Sequence, residues 1–253
     1  MDSEKLRQAF QRDGFVFLPG FLSPGEVNEV NAQLEKLIRE VVPTMPPEHA
    51  FYEDRADSST LKQLQTLFSY DLFFHRMMFG SRFEQLATVL LDDTVTGQNM
   101  QYFNKPPRIG KPTPAHQDGF YFMLEPNEAM TMWMALEPVD EENGCVRYVR
   151  GSHLRGLRPH GRTGVLGFSQ GMTDFGTPED LENEVYFPTQ AGDLLVHHSL
   201  TIHRADGNSS ENRTRKALGF IYYADRAKED VTRKRAYQAQ LAAEQRAKTD
   251  PNA

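Results

Sequence analysis

The sequence predicts a mainly β fold, a sandwich or barrel, with helices before and after it. From residue 94 onward, short segments rich in Val, Tyr, Phe and Thr are separated by turn sequences such as NKPP and NG. Before residue 94, apolar residues recur at helical spacings. β barrels of this length, 253 residues, often form one domain. We therefore expect a single domain over residues 1–253, with a mostly helical part (1–93), a β core (94–225) and a helical tail (226–253).

The N-terminal part begins with an apolar run at residues 14–18, which predicts a short buried strand. Ser23 and Glu26 form a capping box, the sequence signature of a helix start, and apolar residues then recur every three or four positions. Two more helices are predicted at residues 71–78 and 82–91, separated by a Gly-Ser pair.

The core contains segments in which β-branched and aromatic residues cluster in the manner of strands. They lie at residues 95–103, 119–123, 130–137, 145–149, 185–188, 193–197 and 216–224. The tail at residues 226–248 is rich in Ala, Gln, Lys, Arg and Glu, a composition that favours a helix.

Charge and cysteine content exclude several classes of protein. The chain has 28 basic and 35 acidic side chains, whereas nucleic acids and anionic membranes select basic surfaces. Cys145 is the only cysteine, so no internal disulfide and no cysteine-ligated metal site can form. No apolar run approaches the roughly 18 residues of a membrane span, and the N-terminus lacks an apolar signal core. We expect a cytoplasmic monomer or homodimer that binds a small-molecule substrate and neither nucleic acid nor membrane.

Three residues of the core point to a metal centre. His116 and Asp118 are two positions apart, and on an extended strand such residues face the same side. His203 follows the apolar segment at residues 192–202 and supplies a second imidazole. Two histidines and one carboxylate that leave adjacent coordination positions open form the facial triad of non-haem Fe(II) oxygenases.

Further motifs surround these residues in a definite order. They are NKPP at 104–107, HQD at 116–118, YF at 121–122, WMALE at 133–137, NGC at 143–145, GSH at 151–153, GD at 192–193 and RKA at 215–217, together with His198, His203 and Asn208. This set resembles the phytanoyl-CoA dioxygenase family over about residues 10–225. The resemblance implies a double-stranded β-helix, the jelly-roll or cupin-like fold, with the N-terminal helices packed on one side.

The resemblance also implies a cofactor set: Fe(II), 2-oxoglutarate as cosubstrate, and O2. The implied catalytic residues and metal ligands are His116, Asp118 and His203. A free carboxylate such as that of 2-oxoglutarate is well matched by a guanidinium, which can bind it with two parallel hydrogen bonds. The resemblance implies that Arg215 binds the free carboxylate of the cosubstrate. It also implies that Trp133, Gln101 and Lys62 line the cosubstrate site.

The chain departs from the family pattern at two points near the cosubstrate. The family often has Ser or Thr two residues after the distal histidine, where this chain has Ala205. The spacing from His203 to Arg215 is also about one residue longer than the family pattern, so Arg213 is a second candidate for the anchor.

The family implies hydroxylation of a small organic substrate by one catalytic domain, with release of succinate and CO2. Related iron halogenases have a small residue in place of the carboxylate, so Asp118 favours hydroxylation. The chain also has a basic run without acidic residues, which contains Arg147, Arg150, Arg155, Arg158 and Arg162. Such a run would attract an anionic substrate, such as an acyl-CoA, a phosphonate or a carboxylate.

Two other functions use the same ligand set. A metal-dependent hydrolase would bind metal and ignore 2-oxoglutarate, and a non-catalytic cupin-like module would bind a ligand without consuming oxygen. Neither needs a buried guanidinium facing the metal. Strand alternation sends His197 and His198 to opposite faces, and we expect His198 to pack or to donate hydrogen bonds rather than to bind iron.

Overall fold

The computed structural model describes residues 2–165, 168–237 and 239 of the chain. Helices alternate with strands before residue 94 and are rare after it. The α-helices are α1 Ser3–Asp13, α2 Pro24–Glu40, α3 Leu72–Met78, α4 Arg82–Leu91, α5 Gly119–Phe122 and α6 Pro178–Glu182. Short 3-10 helices occupy Val42–Thr44, Ser58–Thr60, Leu67–Ser69 and Ser152–Arg155.

Strands dominate the region after residue 94 and also occur before it. Their bounds are β1 Phe15–Leu18, β2 Ala50–Tyr52, β3 Leu61–Leu64, β4 Val95–Asn104, β5 Thr113–His116, β6 Leu124–Glu125, β7 Ala129–Ala135, β8 Val146–Val149, β9 His160–Val165, β10 Phe168–Met172, β11 Glu184–Phe187, β12 Leu194–His198, β13 His203–Ala205, β14 Lys216–Ala224 and β15 Lys228–Glu229. The prediction of a mainly β fold with flanking helices is confirmed.

Two antiparallel sheets build the core. The larger has the strand order β1-β12-β7-β14-β4-β3-β2, and the smaller has the order β11-β8-β13-β5. A buried cluster joins Trp133 and Leu195 of the larger sheet to Val146 and Tyr148 of the smaller one, so the two sheets pack face to face. The second hydrophobic cluster lies on the outer face of the larger sheet, where α2 buries Val30 and its apolar neighbours.

The helix starts follow the sequence signals. Ser23 accepts a hydrogen bond from the backbone of Glu26, and the Glu26 carboxylate accepts one from the backbone of Ser23, which confirms the capping box. Helices α3 and α4 match the predictions for residues 71–78 and 82–91. Within the described part of the chain, no helix combines the length and apolar character needed to cross a bilayer.

The prediction of a strand at residues 119–123 was wrong, since this segment forms helix α5. Its aromatic residues have high β propensity, but tertiary contacts outweigh that preference. The backbone of Gly119 donates a 2.8 Å hydrogen bond to the carbonyl of Ser199, and Tyr121 Oη donates one of 2.6 Å to the carbonyl of Gln170. Both contacts require the chain to turn immediately after Asp118.

The structure describes only the first part of the predicted helical tail. Residues 228–229 form β15, which pairs with β6 just after the end of α5, and residues 231–237 are helical. Residues 238 and 240–253, on which the rest of the prediction falls, lie outside the described residues.

Candidate metal centre

Three donor groups meet at the edge where the chain passes from the smaller sheet to α5. His116 ends β5 and His203 begins β13, and the two residues are direct partners across these strands. Their Nε2 atoms lie 3.5 and 3.7 Å from Oδ1 of Asp118. One donor atom from each of the three residues falls within 4.8 Å of the others, a grouping that can hold a metal ion.

Asp118 reaches this position by a route different from the predicted one. The extended backbone ends at His116, and Asp118 itself has helical dihedral angles (φ -57°, ψ -33°) as the residue before α5. The turn, rather than strand alternation, therefore brings the carboxylate to the imidazole two residues earlier.

Backbone carbonyl groups orient both imidazoles. Nδ1 of His116 lies 2.8 Å from the carbonyl oxygen of Pro114, and Nδ1 of His203 lies 3.0 Å from that of Thr201. A ring that donates from Nδ1 keeps its lone pair on Nε2, the atom that faces Asp118. Burial and the neighbouring imidazoles of His116 and His197 lower the pKa of His203 well below its ordinary value. The neutral form, which can bind a metal, is therefore favoured.

Asp118 is held as an anion by its neighbours. Burial alone would raise the pKa of its carboxyl group, but the surrounding imidazoles of His203, His116 and His197 hold that pKa well below its ordinary value. Thr131 Oγ1 donates a 2.6 Å hydrogen bond to Oδ2, and Nε2 of His197 lies 3.2 Å from the same oxygen. The carboxylate therefore has one oxygen held by the larger sheet and one directed to the histidine pair.

His197 is a site residue that the sequence prediction missed. Its Nδ1 lies 3.0 Å from Tyr148 Oη, so the ring is fixed between this hydroxyl and Asp118. His198 points to the other face and packs against Phe10 and His153, with ring centroids 6.1 and 5.5 Å away, which agrees with the expectation for that residue. Strand alternation predicted that His197 and His198 face opposite sides of the sheet, but it could not predict the contact of His197 with Asp118.

A buried guanidinium lies in the same cavity. Arg215 is 5% exposed, and its guanidinium carbon lies 5.3 Å from the centre of the Trp133 ring. Its Nε is buried and donates no hydrogen bond to any residue in the described part of the chain. Burial lowers the pKa of Arg215 to about 10, so the group keeps its positive charge near neutral pH.

The other predicted cosubstrate residues line this cavity as well. Gln101, Gly219 and Trp133 form a row across β4, β14 and β7, since Gly219 pairs with each of the other two. Lys62 is buried, and its Nζ lies 3.2 Å from Oε1 of Glu53. The metal-centre residues and the four predicted cosubstrate residues all line one cavity of about 500 Å³.

Arg213, the second candidate for the anchor, lies elsewhere. Both of its terminal nitrogens donate 2.8 Å hydrogen bonds to Asp140, and one of them also contacts Glu142. These acids occupy its whole guanidinium face, and it does not appear among the described residues that line the cavity. The geometry favours Arg215 as the guanidinium that a cosubstrate would meet.

The predicted role of the basic run in attracting substrate is not supported. Acidic residues distant in sequence pair with four of the five arginines: Arg147 with Asp206, Arg150 with Asp13, Arg155 with Glu179, and Arg158 with Asp174 and Asp180. None of the five arginines is among the described residues that line the cavity. A run of like charges in sequence is thus neutralised by folding.

Comparison with known proteins gives a consistent result. The family model for phytanoyl-CoA dioxygenase (PhyH) matches residues 10–217. The peroxisomal phytanoyl-CoA dioxygenase of Mus musculus is 27% identical over 232 residues, which cover 84% of this chain and 65% of the mouse protein. Phytanoyl-CoA dioxygenase domain-containing protein 1 of Bos taurus is 27% identical over 255 residues, which cover 84% of this chain and 87% of that protein. The chain thus spans just under two thirds of the mouse relative.

Solved structures support the fold and the family. The epimerase SnoN, solved in complex with Fe3+, alpha ketoglutarate and nogalamycin RO, superposes with a TM-score of 0.71 at 26% identity, covering 89% of this chain and 84% of SnoN. The prediction of a jelly-roll fold is confirmed. Because the family model matches most of the chain, the protein belongs to the phytanoyl-CoA dioxygenase family.

Proposed function

We propose that the protein is an Fe(II)- and 2-oxoglutarate-dependent oxygenase that hydroxylates a small, anionic organic substrate. The observation that carries the proposal is that His116, Asp118 and His203 share a cavity with the buried guanidinium of Arg215. A metal site alone fits many enzymes. A metal site that shares its cavity with a buried cation, one that forms no ion pair within the described residues, fits a chelating cosubstrate with a second carboxylate.

The donor set fits Fe(II). Two neutral imidazoles and one carboxylate on one side of an ion leave the opposite side open for other ligands. The two rings donate hydrogen bonds to the carbonyls of Pro114 and Thr201, and Thr131 donates one to the carboxylate; these bonds orient the three side chains before any ion binds.

The cosubstrate would lie between this centre and Arg215. Two parallel hydrogen bonds from the guanidinium would fix the distal carboxylate. Trp133 and Gln101 flank Gly219 on its two neighbouring strands, and they would limit the movement of the cosubstrate from two sides. Lys62 remains a predicted contributor, although its ammonium group is shared with Glu53.

When bound, Fe(II) and 2-oxoglutarate would supply, together with O2, the oxidising power for hydroxylation; succinate and CO2 are released. The residues of the chain hold and orient these groups. Asp118 offsets the charge of the ion, Arg215 offsets that of the cosubstrate, and the buried walls exclude water.

The charge of the cavity lining supports an anionic substrate. Lys105 and Lys111 line the cavity in addition to the predicted cosubstrate cations, and so do Arg204 and Lys234, which are paired with Glu184 and Glu229; the acidic residues in the lining are Glu53 and Asp118. Acyl-CoA, phosphonate and carboxylate compounds are the candidate classes. A single catalytic domain, a cytoplasmic location, and a monomer or homodimer remain parts of the proposal.

The decisive experiment is anaerobic titration of the purified protein with Fe(II) and 2-oxoglutarate, monitored by the visible metal-to-ligand charge-transfer band. We expect a band in the wild type and a weaker one in Arg215→Ala at equal cosubstrate concentration. Bound metal without a band would contradict the proposal and favour the hydrolase or the binding module. In a substrate screen, Asp118→Gly should produce no hydroxylated product, and full activity of this variant would remove Asp118 from the ligand set.

A further inference from the structure

We propose that Glu53, Gln63 and Asn104 form a second polar subsite in the cavity, which binds a hydroxyl or ammonium group of the substrate. We call it the donor-binding subsite. The inference rests on the proposed function, since it concerns the molecule that would be oxidised beside the metal centre. It adds a requirement on the substrate: besides its anionic group, it carries a hydrogen-bond donor.

Three residues of the cavity lining each carry a buried oxygen atom. Gln63 and Asn104 are 5% and 8% exposed, and the side chain of Glu53 is 6% exposed. Glu53 Oε2, Gln63 Oε1 and Asn104 Oδ1 accept no hydrogen bond from any residue that the structure describes. Lys111 Nζ lies 3.8 Å from Glu53 Oε2, beyond hydrogen-bond range.

Two neighbouring strands supply Gln63 and Asn104. Gln63 lies in β3, which pairs with β4, the strand that ends at Asn104. Nδ2 of Asn104 donates a 2.8 Å hydrogen bond to the carbonyl of Leu61 at the start of β3, which fixes its amide and leaves the oxygen as the remaining polar atom. Glu53 lies beside β3, because its Oε1 contacts Lys62 of that strand.

A packing role does not explain this arrangement. A buried acceptor without a partner carries its full desolvation penalty, and proteins leave few such groups unpaired. Gln63 is the clearest case, because its side chain makes no hydrogen bond within the described residues. An apolar residue of the same length would fill its place without the penalty. Unpaired acceptors that share one cavity therefore indicate a ligand that supplies the donors.

The chemistry of the oxygens defines the class of ligand. Hydroxyl and ammonium groups donate hydrogen bonds to carboxylate and amide oxygens, whereas a plain acyl chain cannot. The Glu53 carboxylate adds a preference for a charged donor, although Lys62 beside it weakens that preference. The substrate class that fits is a small anion with a hydroxyl or amino group, rather than a fatty acyl compound.

The test compares valerate, δ-hydroxyvalerate and δ-aminovalerate, which share one carboxylate and chain length and differ only at the far end. Their dissociation constants are measured by calorimetry under anaerobic conditions on the wild type loaded with Fe(II) and 2-oxoglutarate. We expect at least one donor-bearing acid to bind about tenfold more tightly than valerate. Equal binding of all three acids, or no binding by either donor-bearing acid, would overturn the inference.

Variants connect the preference to the subsite. Gln63→Met keeps the length of the side chain and removes the amide, so we expect the preference for the donor-bearing acid to fall while the melting temperature stays equal or rises. Gln98→Met is the matched control, since Gln98 lines the same cavity with an exposed side chain. Glu53→Gln should weaken δ-aminovalerate more than δ-hydroxyvalerate. A melting temperature lowered by Gln63→Met with an unchanged preference would assign the amide a structural role and contradict the subsite.

The two proposals fail in different ways. Absence of the charge-transfer band in the loaded wild type would refute the oxygenase function before any acid is added. A normal band combined with equal binding of the three acids would refute the donor-binding subsite and leave the oxygenase function intact.

Discussion

Thr131 donates a 2.6 Å hydrogen bond to Oδ2 of Asp118, whereas His116 and His203 lie nearest to the other carboxylate oxygen. The two oxygens of one side chain thus have different partners. Thr131 lies in β7 of the larger sheet, and the histidines lie in β5 and β13 of the smaller sheet. The hydrogen bond fixes which oxygen is presented to an ion, and it gives the carboxylate a single orientation.

Thr131→Val should weaken Fe(II) binding by about 10- to 100-fold, the usual effect of removing a hydrogen bond to a metal-binding side chain. Valine has nearly the same shape, so packing of the buried side chain is kept. Metal affinity is measured by anaerobic titration, and Thr131→Ser, which retains the hydroxyl, serves as the control. Wild-type affinity in the valine variant would show that Asp118 does not depend on this hydrogen bond.

Arg215→Ala should reduce affinity for 2-oxoglutarate by about 2–5 kcal/mol, the range for loss of one partner of a buried charge pair. Arg215→Lys should recover only part of this, because an ammonium cannot form two parallel hydrogen bonds with one carboxylate. Arg213→Ala is the matched control, two residues away and paired on the surface with Asp140. A larger loss in the Arg213 variant than in the Arg215 variant would reverse the assignment.

Arg158→Ala should lower stability and leave the Michaelis constant of the true substrate unchanged. Its guanidinium bonds to Asp180 at 2.7 Å and to the carbonyl of Asp174 at 2.6 Å, outside the described cavity lining. The expected loss is about 1.5–3 kcal/mol, as for hydrogen bonds to charged groups. Urea unfolding and steady-state kinetics are measured on the same preparations. A raised Michaelis constant in the variant at unchanged stability would restore the substrate-attracting role of the basic run.

The Asp180 carboxylate should make stability depend on pH. Burial alone would raise the pKa of this carboxyl, but hydrogen bonds from Arg158, Thr177 and Gly176 outweigh it and lower the pKa. A lowered folded-state pKa stabilises the fold above the unfolded value of about 3.9, and this contribution is lost as pH falls through the folded pKa.

Asp180→Asn should therefore lose about 2 kcal/mol at neutral pH, and the difference from the wild type should narrow below about pH 4. Urea unfolding over a pH series measures both quantities. Glu182→Gln, an exposed change at the end of the same helix, should have little effect at any pH. A constant difference across the series would show that the ionised form of Asp180 is not the stabilising species.

Sequence reasoning pointed to the three candidate metal ligands, which the fold brings together, because local spacing and motif order carry that information. It did not give the backbone that positions them. Phe120, Tyr121 and Phe122 have the composition of a strand, and only their contacts with distant segments make them a helix. His197 was assigned the correct strand, but its contact with Asp118 depends on how two sheets face each other.

The basic run shows the same limit for charge. No acidic residue lies near Arg155 or Arg158 in sequence, and both meet carboxylates of α6 only after folding. The unpaired oxygens of Gln63 and Asn104 were equally out of reach, because the absence of a partner is a property of the whole surroundings of an atom. A motif shows which residue occupies a position, whereas the ion pairs and hydrogen bonds of that residue depend on packing against distant parts of the chain.

The position of Asp118 between the two sheets gives the metal centre a mechanical role. An ion held by His116, His203 and Asp118 would clamp β5 and β13 of one sheet, through Thr131 and His197, to β7 and β12 of the other. Separation of the sheets would then break the coordination, so the free energy of binding adds to the free energy of unfolding. Loss of the ion would loosen the sandwich at the point where it must stay closed to keep water from the reaction.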